Sequence, residues 1–414
     1  MNVTLPNVPA ASLARRVVKT LVGRGHSAYL AGGCVRDLLL HRTPKDYDVA
    51  TSAKPEEVEA AFEKTVAVGK SFGVITVIGE SASVQVEVAT FRHDGPYSDG
   101  RHPDSVRFTN AEEDALRRDF TINALFLEPE SGEVIDYVNG VRDLEARLIR
   151  AVGDPAVRFH EDKLRLLRAI RFACALAFDI DDETLEAVTR MAPQVTVCSR
   201  ERIREELHKV LTNIGRGRAL RLLIEAGLLK ATLPDVEALG AQAHARAGTM
   251  LDALTNPPAL PVSWATLLLD LGAASAAEVL TGLRCANELI ARVQGLIADA
   301  SRMGKLDGLR VAEQKRLLRK SGIEDDLELL RARAIAGLAD TAAAKRAPQI
   351  LAARKAEGLW PKVPLNGNDL AAMGIKPGPV FKQLLSALED EVLEGRCQSK
   401  EEAERFIKRV QAAP

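Results

Sequence analysis

Leu30-Ala31-Gly32-Gly33-Cys34-Val35-Arg36-Asp37, followed shortly by Lys45-Asp46-Tyr47-Asp48, is the stretch on which the fold turns. Ser27–Ala31 reads as a strand running into two glycines, and Val35–Leu40 as the short helix that leaves them. Glycine at a strand-to-helix turn lets backbone N–H groups approach a ligand closely, and the helix N-terminus beyond suits a phosphate. A glycine pair alone marks only a turn. Lys45–Ala50 reads as a second strand. Aspartate is depleted in strands, yet Asp46 and Asp48 stand at i and i+2, on one face, with Tyr47 on the other. Carboxylates held side by side repel unless a cation lies between them. Mg²⁺ is the natural candidate, because it binds through one or two carboxylates plus substrate phosphates. Two such ions would activate an attacking hydroxyl and stabilise a pyrophosphate leaving group. The competing reading is a solvated edge strand, and the glycine turn upstream weighs against it. Glu87, on a later strand, is either a third carboxylate of the site or a surface residue.

Outward from this point the first part of the chain mixes strands and helices. Pro55–Phe62 is a helix with proline in its first turn. Val74–Ile78 and Val84–Phe91 are strands, the second with Val84, Val86 and Val88 facing one way and Gln85 and Glu87 the other. His93–Asp104 is polar and broken by Gly95, Pro96, Gly100 and Pro103, the pattern of a mobile loop. Ile122–Leu127 and Glu133–Tyr137 return to strand character. From about Pro155 strand signals stop, and Val157–Phe178, Asp182–Met191, Ser199–Leu211 and Gly217–Leu228 carry helical periodicity. Punctuation at Asn256–Pro261 and Gly358–Gly367 divides the remaining helices. The expected fold is an α/β head with a mixed sheet over residues 1–150, followed by all-α segments over 151–230, 231–355 and 356–414.

Composition sets outer bounds. The 414 residues exceed one ordinary core. A formal net charge of −1 means that any nucleic-acid surface is a local basic patch. Five scattered cysteines form no CxxC pair and no zinc spacing, which suits a reducing, cytoplasmic setting. Met1–Arg24 lacks the apolar centre of a signal peptide. The apolar run Trp264–Leu271 is interrupted by Asp270 and reads as a buried helix, so no membrane span is expected.

Two basic elements complete the pattern. Arg117-Arg118-Asp119-Phe120-Thr121-Ile122-Asn123-Ala124 sets two arginines just before a strand, where they could bind phosphate bidentately or simply complement a helix C-terminus. Glu161-Asp162 through Arg171 lies on a predicted helix, with Asp162 and Arg165, Arg165 and Arg168, and Arg168 and Arg171 each at i and i+3. An amphipathic helix with surface ion pairs has the same pattern. Chemically, a carboxylate accepts from an exocyclic amino group and an arginine donates to ring nitrogen or carbonyl acceptors. Asp162 and Arg165 could hold cytosine or adenine by the Watson–Crick edge, while uracil and guanine would turn a carbonyl toward the carboxylate. Arg168 and Arg171 would then reach the triphosphate.

Together these elements resemble the class II tRNA nucleotidyltransferases, the bacterial and eukaryotic CCA-adding enzymes with their relatives the bacterial poly(A) polymerases. The four elements occur in the family's order, and the match is strong over residues 25–230. Gly367-Asn368-Asp369-Leu370 and Gly374-Ile375-Lys376-Pro377-Gly378-Pro379 look like the tail of such enzymes. The resemblance implies a polymerase-beta-like head with metal carboxylates Asp46 and Asp48. Gly33, Arg36 and Arg118 would contact the incoming nucleotide. A neck helix would supply Asp162, Arg165, Arg168 and Arg171, and a body and tail would grip tRNA. Arg216, Arg218, Arg221, Lys315, Arg316, Arg319 and Lys320 are then candidate phosphate contacts.

Within the family, enzymes that add only CC are shortened in the loop, whereas His93–Asp104 has full length. Poly(A) polymerases usually carry Gly, two basic residues and Phe where this chain has Gly69-Lys70-Ser71-Phe72, and they tend to have a basic C-terminal extension that Arg405–Pro414 does not supply. The expectation is addition of C, C and A to tRNA from CTP and ATP with Mg²⁺. A-only addition comes next, poly(A) synthesis third, and a non-catalytic RNA-binding protein is the remote alternative.

Overall fold

The computed structural model describes residues 3–67, 73–95 and 105–412. The element Gly69–Phe72 and residues 96–104 of the loop lie outside them. The chain divides into two compact units, residues 1–238 and 239–414.

The first unit opens with helix α1 (Pro9–Gly23), strand β1 (Ala28–Ala31), helix α2 (Gly33–Leu39), strand β2 (Asp48–Thr51) and helix α3 (Pro55–Glu59). Strands β3 (Thr65–Val66), β4 (Val74–Ile78) and β5 (Gln85–Thr90) follow, then the hairpin β6 (Arg92–Asp94) and β7 (Val106–Phe108). Helix α4 (Ala111–Leu116), strands β8 (Phe126–Leu127) and β9 (Val134–Ile135) and helix α5 (Gly140–Glu145) complete the head. Its seven-stranded sheet has the order β3-β4-β5-β2-β1-β8-β9, with β2 and β5 parallel and the other neighbours antiparallel. The alternation of β2 and β5 decides what faces what. Val49, Val86 and Val88 turn to one face, where they pack with Leu13, Val17 and Leu21 of α1. The other face carries Ala31, Ala50, Phe91 and Phe126, and Asp48 shares its side of the strand with Ala50.

Three predicted elements differ. β2 begins at Asp48, so Asp46 lies in the bend before it. The reason is its partner: β1 ends at Ala31, paired with Asp48, because Gly32 takes φ +75° and turns the chain into α2. Nothing remains for Asp46 to pair with, although the alternation of exposed Asp46, buried Tyr47 and exposed Asp48 persists. Ile122 falls in a 3₁₀ turn, Thr121–Asn123, rather than in a strand. Thr121 donates to Asp143 at 2.7 Å and Asn123 to Asp119 at 3.1 Å, and these side-chain bonds draw the backbone into a turn.

Strand character also persists past Pro155: β10 (Leu148–Ile149) pairs in parallel with β11 (Asp179–Ile180). The predicted helix 157–178 is two helices, α6 (Pro155–Glu161) and α7 (Arg165–Leu176). Asp162 is extended (φ −139°, ψ 106°), its carboxylate takes the Leu164 N–H at 3.0 Å, and Lys163 Nζ donates to the His160 carbonyl at 2.6 Å. Local polar bonds thus replace one turn of the ladder. Helices α8 (Asp182–Met191), α9 (Arg200–Thr212) and α10 (Arg216–Glu225) follow, with the Ser199 hydroxyl accepting the Arg202 N–H to cap α9.

The second unit is helical. Leu260–Gly282 is long and apolar enough by length and composition to pass for a membrane-crossing helix, a test that a buried core helix also passes. It is split at Gly272 (φ +77°) into Leu260–Leu268 and Gly272–Gly282, and Trp264, Ala265, Leu268, Ala276 and Leu280 are buried within the unit. A separate small core of Leu365, Leu370, Leu384, Leu388, Val392 and Ile407 organises the last helices.

Candidate functional site

A cleft of about 800 Å³ runs between the sheet face that bears Asp48 and helices α2, α4, α7 and α9, all within the first unit. Every residue expected from the sequence to bind metal or nucleotide lines it: Gly33 and Arg36 from α2, Asp46 and Asp48 at the start of β2, Arg118 after α4, and Asp162, Arg165, Arg168 and Arg171 from the interrupted neck helix. Glu87 lines it as well, opposite Asp48 in the parallel register of β2 and β5.

The acidic wall is electrostatically incomplete. The Asp48 carboxyl is raised to about 6, first by desolvation, then by Glu87, with Asp46 adding to the effect and Arg118 opposing it. Three carboxylates with one nearby guanidinium leave room for positive charge. Among the described residues no group of three or more His, Cys, Asp or Glu side chains forms a closed metal cluster. Two carboxylates with open positions are what Mg²⁺ takes when substrate phosphates complete its shell, so the donor set fits that ion.

The basic wall is tightly braced. Arg118 donates from Nε and Nη2 to Asp114 Oδ2 at 3.2 and 2.9 Å and from Nη1 to the Asn123 carbonyl at 3.1 Å. Burial would raise the Asp114 carboxyl, but Arg117 and Arg118 hold it below the usual carboxylate range. A Cβ on Gly32 would lie 2.9 Å from Arg118 Nη1 and displace that guanidinium, and the φ of +75° itself favours glycine there. Arg36 donates to Asn123 Oδ1 at 2.6 Å and to Asp37 Oδ1 at 2.9 Å. Arg168 Nε donates to Asp119 Oδ2 at 2.9 Å. Against the effect of burial, Arg168 and the Asn123 amide keep the Asp119 carboxyl far below its ordinary value. Arg171 Nε donates to Glu206 Oε2 at 2.6 Å, and Glu206 is itself buried. Arg36, Arg168 and Arg171 all surround the Phe172 ring, with guanidinium carbons 5.4, 5.3 and 4.0 Å from its centroid.

Asp162 and Arg165 do not share a helical face, because the helix breaks between them. Asp162 is bound by Arg202, from Nη1 to Oδ1 at 3.1 Å and from Nη2 to Oδ2 at 2.7 Å. Arg165 donates from Nη1 to Glu161 Oε2 at 2.6 Å and from Nη2 to the Arg117 carbonyl at 3.2 Å, which fixes its guanidinium plane. Both nevertheless reach the same cleft.

Sequence reasoning missed Asp119, Asn123, Phe172, Arg202 and Lys209, all of which line the cleft. Asp119 and Asn123 lie inside the quoted Arg-Arg-Asp element and could have been taken with it. Arg202, Glu206 and Lys209 follow a helical face, a signal that every amphipathic helix also gives. Some proposed phosphate contacts are internal. Arg216 is buried and donates to the Asn213 carbonyl at 2.8 Å. Lys315 is buried and donates to the Leu393 carbonyl at 2.9 Å. Arg316 and Arg319 pair with Glu389 at 2.7 and 2.8 Å, and Lys320 pairs with Asp299.

Comparison with known proteins agrees with this layout. Residues 28–150 match the family "Poly A polymerase head domain", residues 177–239 match "Probable RNA and SrmB-binding site of polymerase A", and residues 261–405 match tRNA nucleotidyltransferase domain 2. The chain is 35% identical to a CCA-adding enzyme of Levilactobacillus brevis over 410 residues, covering 94% of this chain and 96% of that one. It is 34% identical to a CCA-adding enzyme of Streptococcus gordonii over 394 residues, covering 94% of each. The crystal structure of the Bacillus stearothermophilus CCA-adding enzyme in complex with CTP superposes with a TM-score of 0.81 at 31% identity, over 98% of both chains. Mixed-sheet head, basic cleft and helical remainder therefore belong to one family along nearly the whole length, and the chain is a member of the CCA-adding enzymes.

Proposed function

We propose that the protein adds C, C and A to the 3′ end of tRNA, taking CTP and ATP and releasing pyrophosphate. The observation that carries this reading is the cleft, where an acidic wall of Asp46 and Asp48 faces an arginine wall and an Asp–Arg pair suited to amino-bearing bases. The terminal ribose hydroxyl attacks the α-phosphate beside Asp46 and Asp48. Asp46 and Asp48 would hold divalent cations, Mg²⁺ in the first instance, whose charge would lower the hydroxyl pKa and neutralise the triphosphate. Arg36, Arg118, Arg168 and Arg171 offer fixed donors to the phosphate oxygens, and Gly32 and Gly33 let the backbone come close. Asp162 accepts from the amino group of cytosine or adenine while Arg165 donates to the ring edge.

Head, neck, body and tail over residues 1–150, 151–230, 231–355 and 356–414 serve as the functional divisions of this reading. The five cysteines, all buried and none in a disulfide, suit a reducing cytoplasm. Its test is incubation of the protein with tRNA ending at the discriminator base, with tRNA ending in CC and with an unrelated RNA, with CTP and ATP separately and together. Products three nucleotides longer, confined to tRNA, are expected; long A tracts on any RNA would instead mark a poly(A) polymerase.

A further inference from the structure

Asp162 poses a geometric problem. It stands at the break between α6 and α7 with extended backbone, so no helical ladder on either side fixes where its short side chain points. A carboxylate that chooses bases by accepting from an amino group has to stay put. If it can rotate away, an incoming carbonyl of uracil or guanine meets no penalty. The structure supplies the missing restraint from another helix. Arg202 lies in the first turn of α9, where its N–H is capped by Ser199 Oγ at 3.4 Å, and α9 packs along α7. Its two terminal nitrogens grip both oxygens of Asp162 at 3.1 and 2.7 Å. Both side chains are mostly buried, 20% and 17% exposed, and both line the cleft. This two-point grip is specific to guanidinium; an ammonium group at the same place offers one point of charge and no plane.

We propose that Arg202 is a positioning residue for nucleotide choice: its fork aims the Asp162 carboxylate at the amino edge of cytosine and adenine. The proposal rests on Asp162 as the base-reading acceptor. Among the described residues Oδ1 is bonded twice, by the Leu164 N–H and by Arg202, and Oδ2 once, by Arg202. Oδ2 therefore keeps an acceptor direction for an incoming amino group. The guanidinium, a pure donor, keeps both oxygens acting as acceptors, so a carbonyl brought to the same place meets like polarity.

The test measures kcat/KM for CTP and UTP on tRNA lacking its last three nucleotides, and for ATP and GTP on tRNA ending in CC. The proteins are the native chain, Arg202→Lys, Arg202→Gln and Asp162→Asn, with melting temperature and tRNA affinity recorded for each. Both Arg202 variants are expected to lower the CTP/UTP and ATP/GTP ratios by about tenfold or more, the scale of one good base contact, with tRNA affinity unchanged. Arg202→Lys, which retains the charge and the packing stem, is expected to keep the native melting temperature and still lose discrimination. If the Lys variant discriminates as the native chain does, or if all four nucleotides fall by the same factor in both variants, Arg202 is a structural strut and the proposal is overturned. If Asp162→Asn itself leaves the ratios unchanged, the base-reading role of Asp162 fails, and the proposal with it.

Discussion

Asp48 is raised to about 6 by its place in the cleft wall and by Glu87 across the register, so its charge is held at a cost to the folded state. For an acid raised in the native state, the folded form binds the extra proton, and ionisation above that range disfavours folding. Asp48→Asn should therefore abolish nucleotide incorporation while slightly raising the melting temperature without divalent ions, by on the order of 1 kcal/mol or less once solvent screening is allowed for. Added Mg²⁺ should stabilise the native protein and not the variant; equal thermal shifts would show that the ion binds elsewhere. Asp119 behaves in the opposite sense. Its carboxyl is held below the ordinary 3.8, so its contribution to stability is complete above that pH and is lost as pH falls further. In denaturant titrations Asp119→Asn should be less stable than the native chain by a constant amount from neutral pH down to that region, with the gap closing below it. Asp46 and Asp48 were legible because adjacent alternation exposes them locally. The Asp119–Arg168 pair was not, because 49 residues separate its members and only the fold brings them together.

Among the elements, β1, α2, β4, β5, α8 and α9 could be read from periodicity and caps, since each is held by regular backbone bonding and one apolar face. The misread elements are those where side chains compete with the backbone: the 3₁₀ turn at Thr121–Asn123 and the gap between α6 and α7. At Thr121–Asn123 the competitor is Asp143, which no local window contains; between α6 and α7 the bonds are local, but helical periodicity alone does not reveal them. Within α7, Phe172 has three guanidinium groups at its ring and an edge contact with Phe120 at 5.7 Å. An aromatic face attracts each cation and holds like charges apart at fixed distances. Phe172→Leu should keep the volume roughly and lose the quadrupole, raising KM for CTP and ATP by about fivefold at a contribution near 1 kcal/mol, with kcat nearly unchanged. Phe172→Tyr should restore KM; failure of that rescue would assign the effect to packing.

At the level of the molecule, a mixed-sheet unit and a helical unit were foreseeable from where strand signals end. The fate of the basic residues in the second unit was not, because a list of charges does not show which carboxylates face them. Lys315, Arg316 and Arg319 on Val311–Leu318 and its C-cap meet Leu393, Glu389 and Asp390 of the helix Pro379–Leu393, joining the last small core to the helices before it. Lys315→Met should accordingly lower unfolding free energy by about 1–3 kcal/mol, the scale of a buried group left without its partner, and leave tRNA affinity in dilute salt unaltered. A selective loss of tRNA binding without loss of stability would return Lys315 to the RNA surface. Every group assigned here to the nucleotide falls between residues 31 and 209, inside the first unit. A ribosome that abandons the message just past codon 238 thus releases a fragment that carries every residue proposed to handle the nucleotide and almost none of the helical remainder.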